Sequence, residues 1–171
     1  MIRWILRHWP WLAMLACLAM LGAAHAFERF AKLEPCLLCL RQREVYWLGI
    51  PVALASLVLA RFGGKWPHLR LRAWGLAVLS VIFLYGAWLA GFHAGVEWHF
   101  WPGPAACAPS SGGVNVDAVL DALGSVQKAP RCDAAQWRLF GLSMAGYNTL
   151  ISLKLAVLSA LAAVWHGRHA A

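Results

Sequence analysis

The sequence predicts an all-α integral membrane protein, a four-helix transmembrane bundle whose long outer loop carries a short amphipathic helix. Three observations carry this expectation. Of 171 residues, 61% are hydrophobic and 13% charged, against a soluble norm of roughly 45–50% apolar and about 25% charged. Four apolar runs stand apart, near the roughly 20 residues that a helix needs to cross hydrocarbon. Most of the tryptophans sit at the ends of those runs, where amphipathic rings prefer headgroup depth. At this length a single domain, residues 1–171, is expected.

The first span covers about 9–27. Arg3 and Arg7 before it and Ala24-His25-Ala26 at its end also suit a cleavable signal peptide. The run is long for a signal peptide and opens on Trp9-Pro10-Trp11, which resembles an interfacial anchor, so retention is expected. The second span, about 43–61, reaches full length only if its helix starts near Cys36. Pro51 inside it is tolerable, as prolines are in membrane helices. The third and fourth spans, about 72–93 and 144–165, qualify by length alone. Outer loops of about 28–42 and 94–143 and an inner loop of about 62–71 complete the plan. In the long outer loop, Asn115 or Asp117 can cap a short helix to about Val126. Val116, Val119, Leu120 and Leu123 fall on one of its faces.

Four spans place both termini on one side with the inner loop. Seven basic residues flank each side, so their count alone is even. Long loops translocate largely regardless of charge, which discounts Lys128, Arg131 and Arg138. All seven acidic residues also fall on the cysteine side. The expected orientation has N- and C-termini inside and cysteines outside. Trp9, Trp11, Trp66, Trp74 and Trp165 mark the inner boundary; Trp47, Trp98, Trp101 and Trp137 mark the outer one. Trp88 fits neither belt and is read as packing. The net charge of +8 suits anionic lipid; the cations flank apolar runs and form no face for nucleic acid. Lys154, near the centre of the fourth span, is a costly charge with no evident partner.

Cys36 and Cys39 form Cys-Leu-Leu-Cys at the mouth of the second span; Cys107 and Cys132 lie in the long outer loop. A close Cys-x-x-Cys is a redox unit, because its sulfurs can close on each other and its thiolate can be tuned. Glu34-Pro35-Cys36 reads as a helix start with proline at the first helical position. Cys36 then falls in the first turn, where free N–H groups and the helix dipole favour a thiolate. Cys39 and Arg43 share its face, and Arg43 can also donate to a carbonyl oxygen. The competing reading is tetrahedral zinc held by four cysteines. A widely spaced second pair and an oxidising face argue against it, and no metal is expected. A static disulfide is the other alternative. Haem attachment is excluded because Leu40 stands where histidine is needed. Cys17 reads as membrane packing. His93, with Glu97 one turn on, can join Arg43 in a pocket for a carbonyl-bearing lipid.

Three segments resemble one family: Glu34-Pro-Cys-Leu-Leu-Cys-Leu-Arg-Gln-Arg43, Phe92-His-Ala-Gly-Val-Glu-Trp98 with Trp101-Pro-Gly-Pro-Ala-Ala-Cys107, and Cys132-Asp-Ala-Ala-Gln-Trp-Arg-Leu-Phe-Gly-Leu-Ser-Met144. By these the chain resembles the disulfide-bond formation protein B (DsbB) family of bacterial inner membranes. The vitamin K epoxide reductase family shares the chemistry, but there the Cys-x-x-Cys follows the loop cysteines. The resemblance implies a quinone-dependent oxidoreductase that reoxidises a DsbA-type thioredoxin-fold oxidase in the periplasm, or a relative serving a dedicated partner dithiol. The route from DsbA through DsbB to quinone is the established example of a compartment kept oxidising kinetically. By the same resemblance Cys107 takes the partner's attack, and Cys132 leaves and then bonds Cys36. Cys39 becomes the thiolate that meets the quinone, ubiquinone or menaquinone, while Arg43 and His93 bind or polarise it.

Overall fold

The computed structural model describes residues 1–62, 71–107 and 131–168. Helix α1 (Ile2–Arg7) leads into α2 (Trp9–Phe30), followed by α3 (Leu37–Phe62), α4 (Leu71–Glu97) and α5 (Met144–Arg168). A 3-10 turn covers Ala105–Cys107, and strands β1 (Arg138–Leu139) and β2 (Leu142–Ser143) form an antiparallel ribbon before α5. The expected short helix near residues 115–126 lies outside the described residues.

The all-helical expectation holds apart from this ribbon, which no periodicity in the sequence predicts. Among the described residues three helices, α2, α4 and α5, are long and apolar enough to cross a membrane. Helix α3 has 26 residues, about 39 Å at roughly 1.5 Å per residue, but Arg41, Gln42, Arg43 and Glu44 make its start polar. It runs through Pro51 without a break. Helix ends differ from the expected boundaries. α2 continues to Phe30 and α4 to Glu97, because helical hydrogen bonding does not stop where the apolar run does. The first outer loop accordingly shrinks to residues 31–36, and Lys32 (φ 55°) turns the chain there.

Neighbouring helices run antiparallel. The end of α2 meets the start of α3 through Glu28 and Arg43. The start of α3 meets the end of α4 through Gln42 and His93. At the far end, Trp9 donates from its indole nitrogen to Ser159 Oγ at 2.8 Å, joining α2 to α5. The interior of the bundle contains Leu76, Leu79, Phe83, Cys17, Leu155 and Ala156.

Small residues set the helix spacing, as is common between membrane helices. A Cβ on Gly49 would stand 2.8 Å from Cys17 Sγ, and one on Gly86 would stand 2.8 Å from Val45 Cγ1. Cys17 is therefore the packing residue its position predicted. The outer surface is apolar, with Leu15, Trp47, Val81, Leu84, Leu153 and Val157 exposed. Trp88, read as packing, faces outward and packs its ring in a ladder with Tyr85 and Phe92, at centroid distances of 5.8 and 6.3 Å. Lys154 also lies on the outer face of α5.

Candidate functional site: two cysteine pairs at one end of the bundle

The antiparallel arrangement gathers the end of α2, the start of α3, the end of α4 and the start of α5. All four loop cysteines meet there. Cys36 and Cys132 are buried with Leu38, Leu89 and Val96, and Cys39 and Cys107 pack against that cluster. Cys107 and Cys132 are joined in a disulfide, with Cα atoms 5.5 Å apart. The Cys36 and Cys39 sulfurs face each other at 2.7 Å.

Helix α3 begins two residues later than expected, at Leu37. Cys36, not Pro35, makes the transition. Its carbonyl accepts the Leu40 N–H at 3.1 Å, and its Sγ accepts the Cys39 N–H at 3.2 Å. The sulfur thus occupies the N-cap position, which usually goes to a side-chain oxygen. Its thiol is pulled down from 9.0 to about 5, first by the hydrogen bond from the Cys39 thiol and then by His93, against the opposing effect of burial.

His93, on the last turns of α4, places Nε2 3.6 Å from Cys36 Sγ and 3.8 Å from Glu97 Oε1. Its Nδ1 meets the Gln42 amide nitrogen at 2.8 Å. Gln42 in turn accepts from Asn148 Nδ2 at 2.5 Å, and Asn148 accepts from the Tyr46 hydroxyl. Gln42, Asn148 and Tyr46 are buried, and none was singled out from sequence. Their sequence signal was weak but present: polar side chains on the inner faces of apolar helices.

The second loop is pinned from several sides. Gln136 donates to the Glu34 carbonyl at 2.7 Å. Arg131 and Asp133 pair around Cys132, and that contact holds the Asp133 carboxyl below its ordinary range. The ribbon turns through Phe140 and Gly141, both at positive φ (48° and 83°), as a two-residue hairpin of the favoured twist requires. It delivers Ser143, which caps α5 by accepting the Gly146 N–H at 3.2 Å.

Beside the cysteines opens a cavity of about 380 Å³. Met20, Leu21, Phe27 and Ile151 give it apolar walls, while Cys36, Cys39, Arg43, His93 and Glu97 line it with polar groups. Arg43 is held by Glu28 at 2.6 Å. Every site residue singled out from the sequence therefore comes to one place: Cys36, Cys39, Arg43 and His93 on the cavity, and Cys107 and Cys132 in the adjoining cluster. The four-cysteine zinc reading loses two donors to the Cys107–Cys132 bond.

A family model described as disulfide bond formation protein DsbB matches residues 6–162. The chain belongs to the DsbB family. Disulfide bond formation protein B of Dechloromonas aromatica (strain RCB) is 31% identical over 146 residues, covering 80% of this chain and 79% of the relative. No solved structure matches. Membership in the DsbB family makes the chain a membrane disulfide-forming oxidoreductase, consistent with its three apolar helices.

Proposed function

We propose that this chain is a single-domain, four-span protein of the bacterial inner membrane that reoxidises a DsbA-type periplasmic dithiol oxidase and passes the electrons to a membrane quinone. Both termini are cytoplasmic and both cysteine loops periplasmic. The observation that carries the reading is the meeting of both cysteine pairs in one packed cluster beside an apolar cavity. For α3 as the fourth span, support comes from its length and from the apolar residues it turns outward, Trp47, Leu48, Leu54 and Val58.

The cavity fits a quinone head. It is largely apolar, opens beside Cys39, and carries the Arg43 guanidinium, able to donate to a carbonyl oxygen, with the His93 ring on its wall. Arg43 and His93 would hold such a head, with Arg43 aimed by Glu28. When bound, a quinone supplies the two-electron acceptor. The chain's own residues carry out the exchange. A partner thiolate attacks Cys107 Sγ, breaking the Cys107–Cys132 bond and releasing Cys132 as thiolate. Cys132 then attacks Cys36 of an oxidised Cys36–Cys39 pair. A Cys36–Cys132 bond forms and the electron pair leaves on Cys39 Sγ, beside the cavity. Cys107 bears the incoming attack because it is the more accessible of its pair, while Cys132 is buried.

The test is quinone-dependent oxidation of a reduced DsbA-type protein by the purified chain. Catalytic turnover that consumes quinone and vanishes in Cys39→Ser is expected. Wild-type turnover in Cys39→Ser would overturn the reading.

A further inference from the structure

Cys36, Cys39 and His93 form a constellation that invites a metal ion. Their ligand atoms all lie within 4.8 Å of one another. Two cysteines and a histidine are a familiar zinc donor set, and Glu97 lies alongside with Oε2 lacking a hydrogen-bond partner among the described residues. Whether the ring can ligate depends on which nitrogen carries the proton, and that is decided by the partner of the other nitrogen.

The polarity of the hydrogen-bond chain behind His93 is fixed. Gln42 Nε2 lies 3.2 Å from the Leu38 carbonyl, which only accepts, so the amide nitrogen donates there. Gln42 Oε1 faces the Asn148 amide nitrogen, a donor. Asn148 Oδ1 faces the Tyr46 hydroxyl, which is also near Ser152 Oγ at 2.9 Å. Every group in the chain then has its proper partner. The remaining N–H of Gln42 points at His93 Nδ1, which must accept. A neutral ring that accepts at Nδ1 carries its proton on Nε2, and Nε2 faces Cys36 Sγ.

We propose that Gln42, locked by Asn148 and Tyr46, is a positioning residue that keeps the proton on His93 Nε2, so that His93 serves Cys36 as a hydrogen-bond donor and is withheld from metal ions. Metal-bound histidines almost always have the reverse arrangement, donating their other ring N–H to an acceptor. Here the second partner is a donor. A dithiol that must stay available for exchange is thereby guarded against capture by zinc. This rests on the ring and thiol geometry alone; its success or failure is separate from that of quinone turnover.

The experiment is nitrogen NMR of histidine-labelled, reduced, full-length protein in detergent, with His93 assigned through His93→Gln. The wild type is expected to show a neutral ring protonated at Nε2. In Gln42→Leu the proton redistributes toward Nδ1. Tyr46→Phe, which removes one of the two hydroxyls donating to Asn148 Oδ1 and leaves Ser152 in place, shifts the same balance less. Zn2+ titration of the same samples supplies the second readout. Gln42→Glu turns the partner into an acceptor, and zinc affinity of the dithiol should rise by about 10–100-fold, the range an outer partner commands. A wild-type ring protonated at Nδ1, a tautomer unmoved by Gln42→Leu, or equal zinc affinity in wild type and Gln42→Glu would each overturn the proposal.

Discussion

The indole of Trp101 fills the space beside Gly95 that a Cβ would need. The same ring donates from Nε1 to the Phe92 carbonyl at 3.0 Å and stacks on the Phe92 side chain at 5.9 Å. The segment that carries Cys107 is thus anchored to α4 through one aromatic residue and one missing side chain. Gly95→Ala should expel the indole, at the roughly 1–3 kcal/mol typical of overpacking. A lower melting temperature in detergent and reduced turnover, with the Phe92→Leu variant milder, are the expected results.

Substituting Cys36, Cys39, Cys107 or Cys132 by serine should each abolish turnover, because every sulfur makes or breaks a bond. Cys17→Ala should retain full turnover, since Cys17 is packed in the bundle interior, away from the cysteine cluster. A melting temperature modestly below wild type is its expected cost. Steady-state oxidation of a reduced partner checks all five.

Cys36 should ionise far below an ordinary thiol. With the folded value near 5 against 9.0 for the free group, the reduced protein holds a thiolate at neutral pH. Its contribution to stability is complete above about pH 9 and is lost as pH falls through about 5. Ultraviolet thiolate absorbance of the reduced protein should show a step near that lower value, absent in Cys36→Ser. A wild-type titration with no step below pH 7 contradicts the Cys39 and His93 contacts.

Arg43→Ala should raise the KM for quinone about tenfold or more, with a smaller effect on partner affinity. Arg43→Lys should recover little, because an ammonium lacks the planar fork that can hold Glu28 and donate into the cavity together. Glu28→Gln should give an intermediate KM, since it leaves the guanidinium charged but unaimed. Turnover against quinone concentration separates the three.

Much of this was legible in the sequence. Long apolar runs give α4 and α5 directly, and the cysteine spacing with Arg43 and His93 identifies the site. Other features were hidden for identifiable reasons. The start of α3 was misplaced because a cysteine sulfur took the capping role usually read from oxygen side chains. Two-residue strands have no periodicity to detect, so the ribbon was marked by Gly141 alone. Gln42 was legible only as the residue between Cys39 and Arg43, since its importance comes from Asn148, 106 positions away.

Within each cysteine pair the two sulfurs are unequally sheltered. Cys36 and Cys132 are 3% and 1% exposed, while Cys39 and Cys107 are partly open. In the proposed relay the sheltered sulfurs are the two that exchange with each other, and the open ones meet the outside reagents. The arrangement works as an insulated conductor with a bare terminal at each end. Small thiols in the surrounding fluid would meet Cys107 and not the sheltered junction, so a reductant enters the circuit only at the terminal the partner uses.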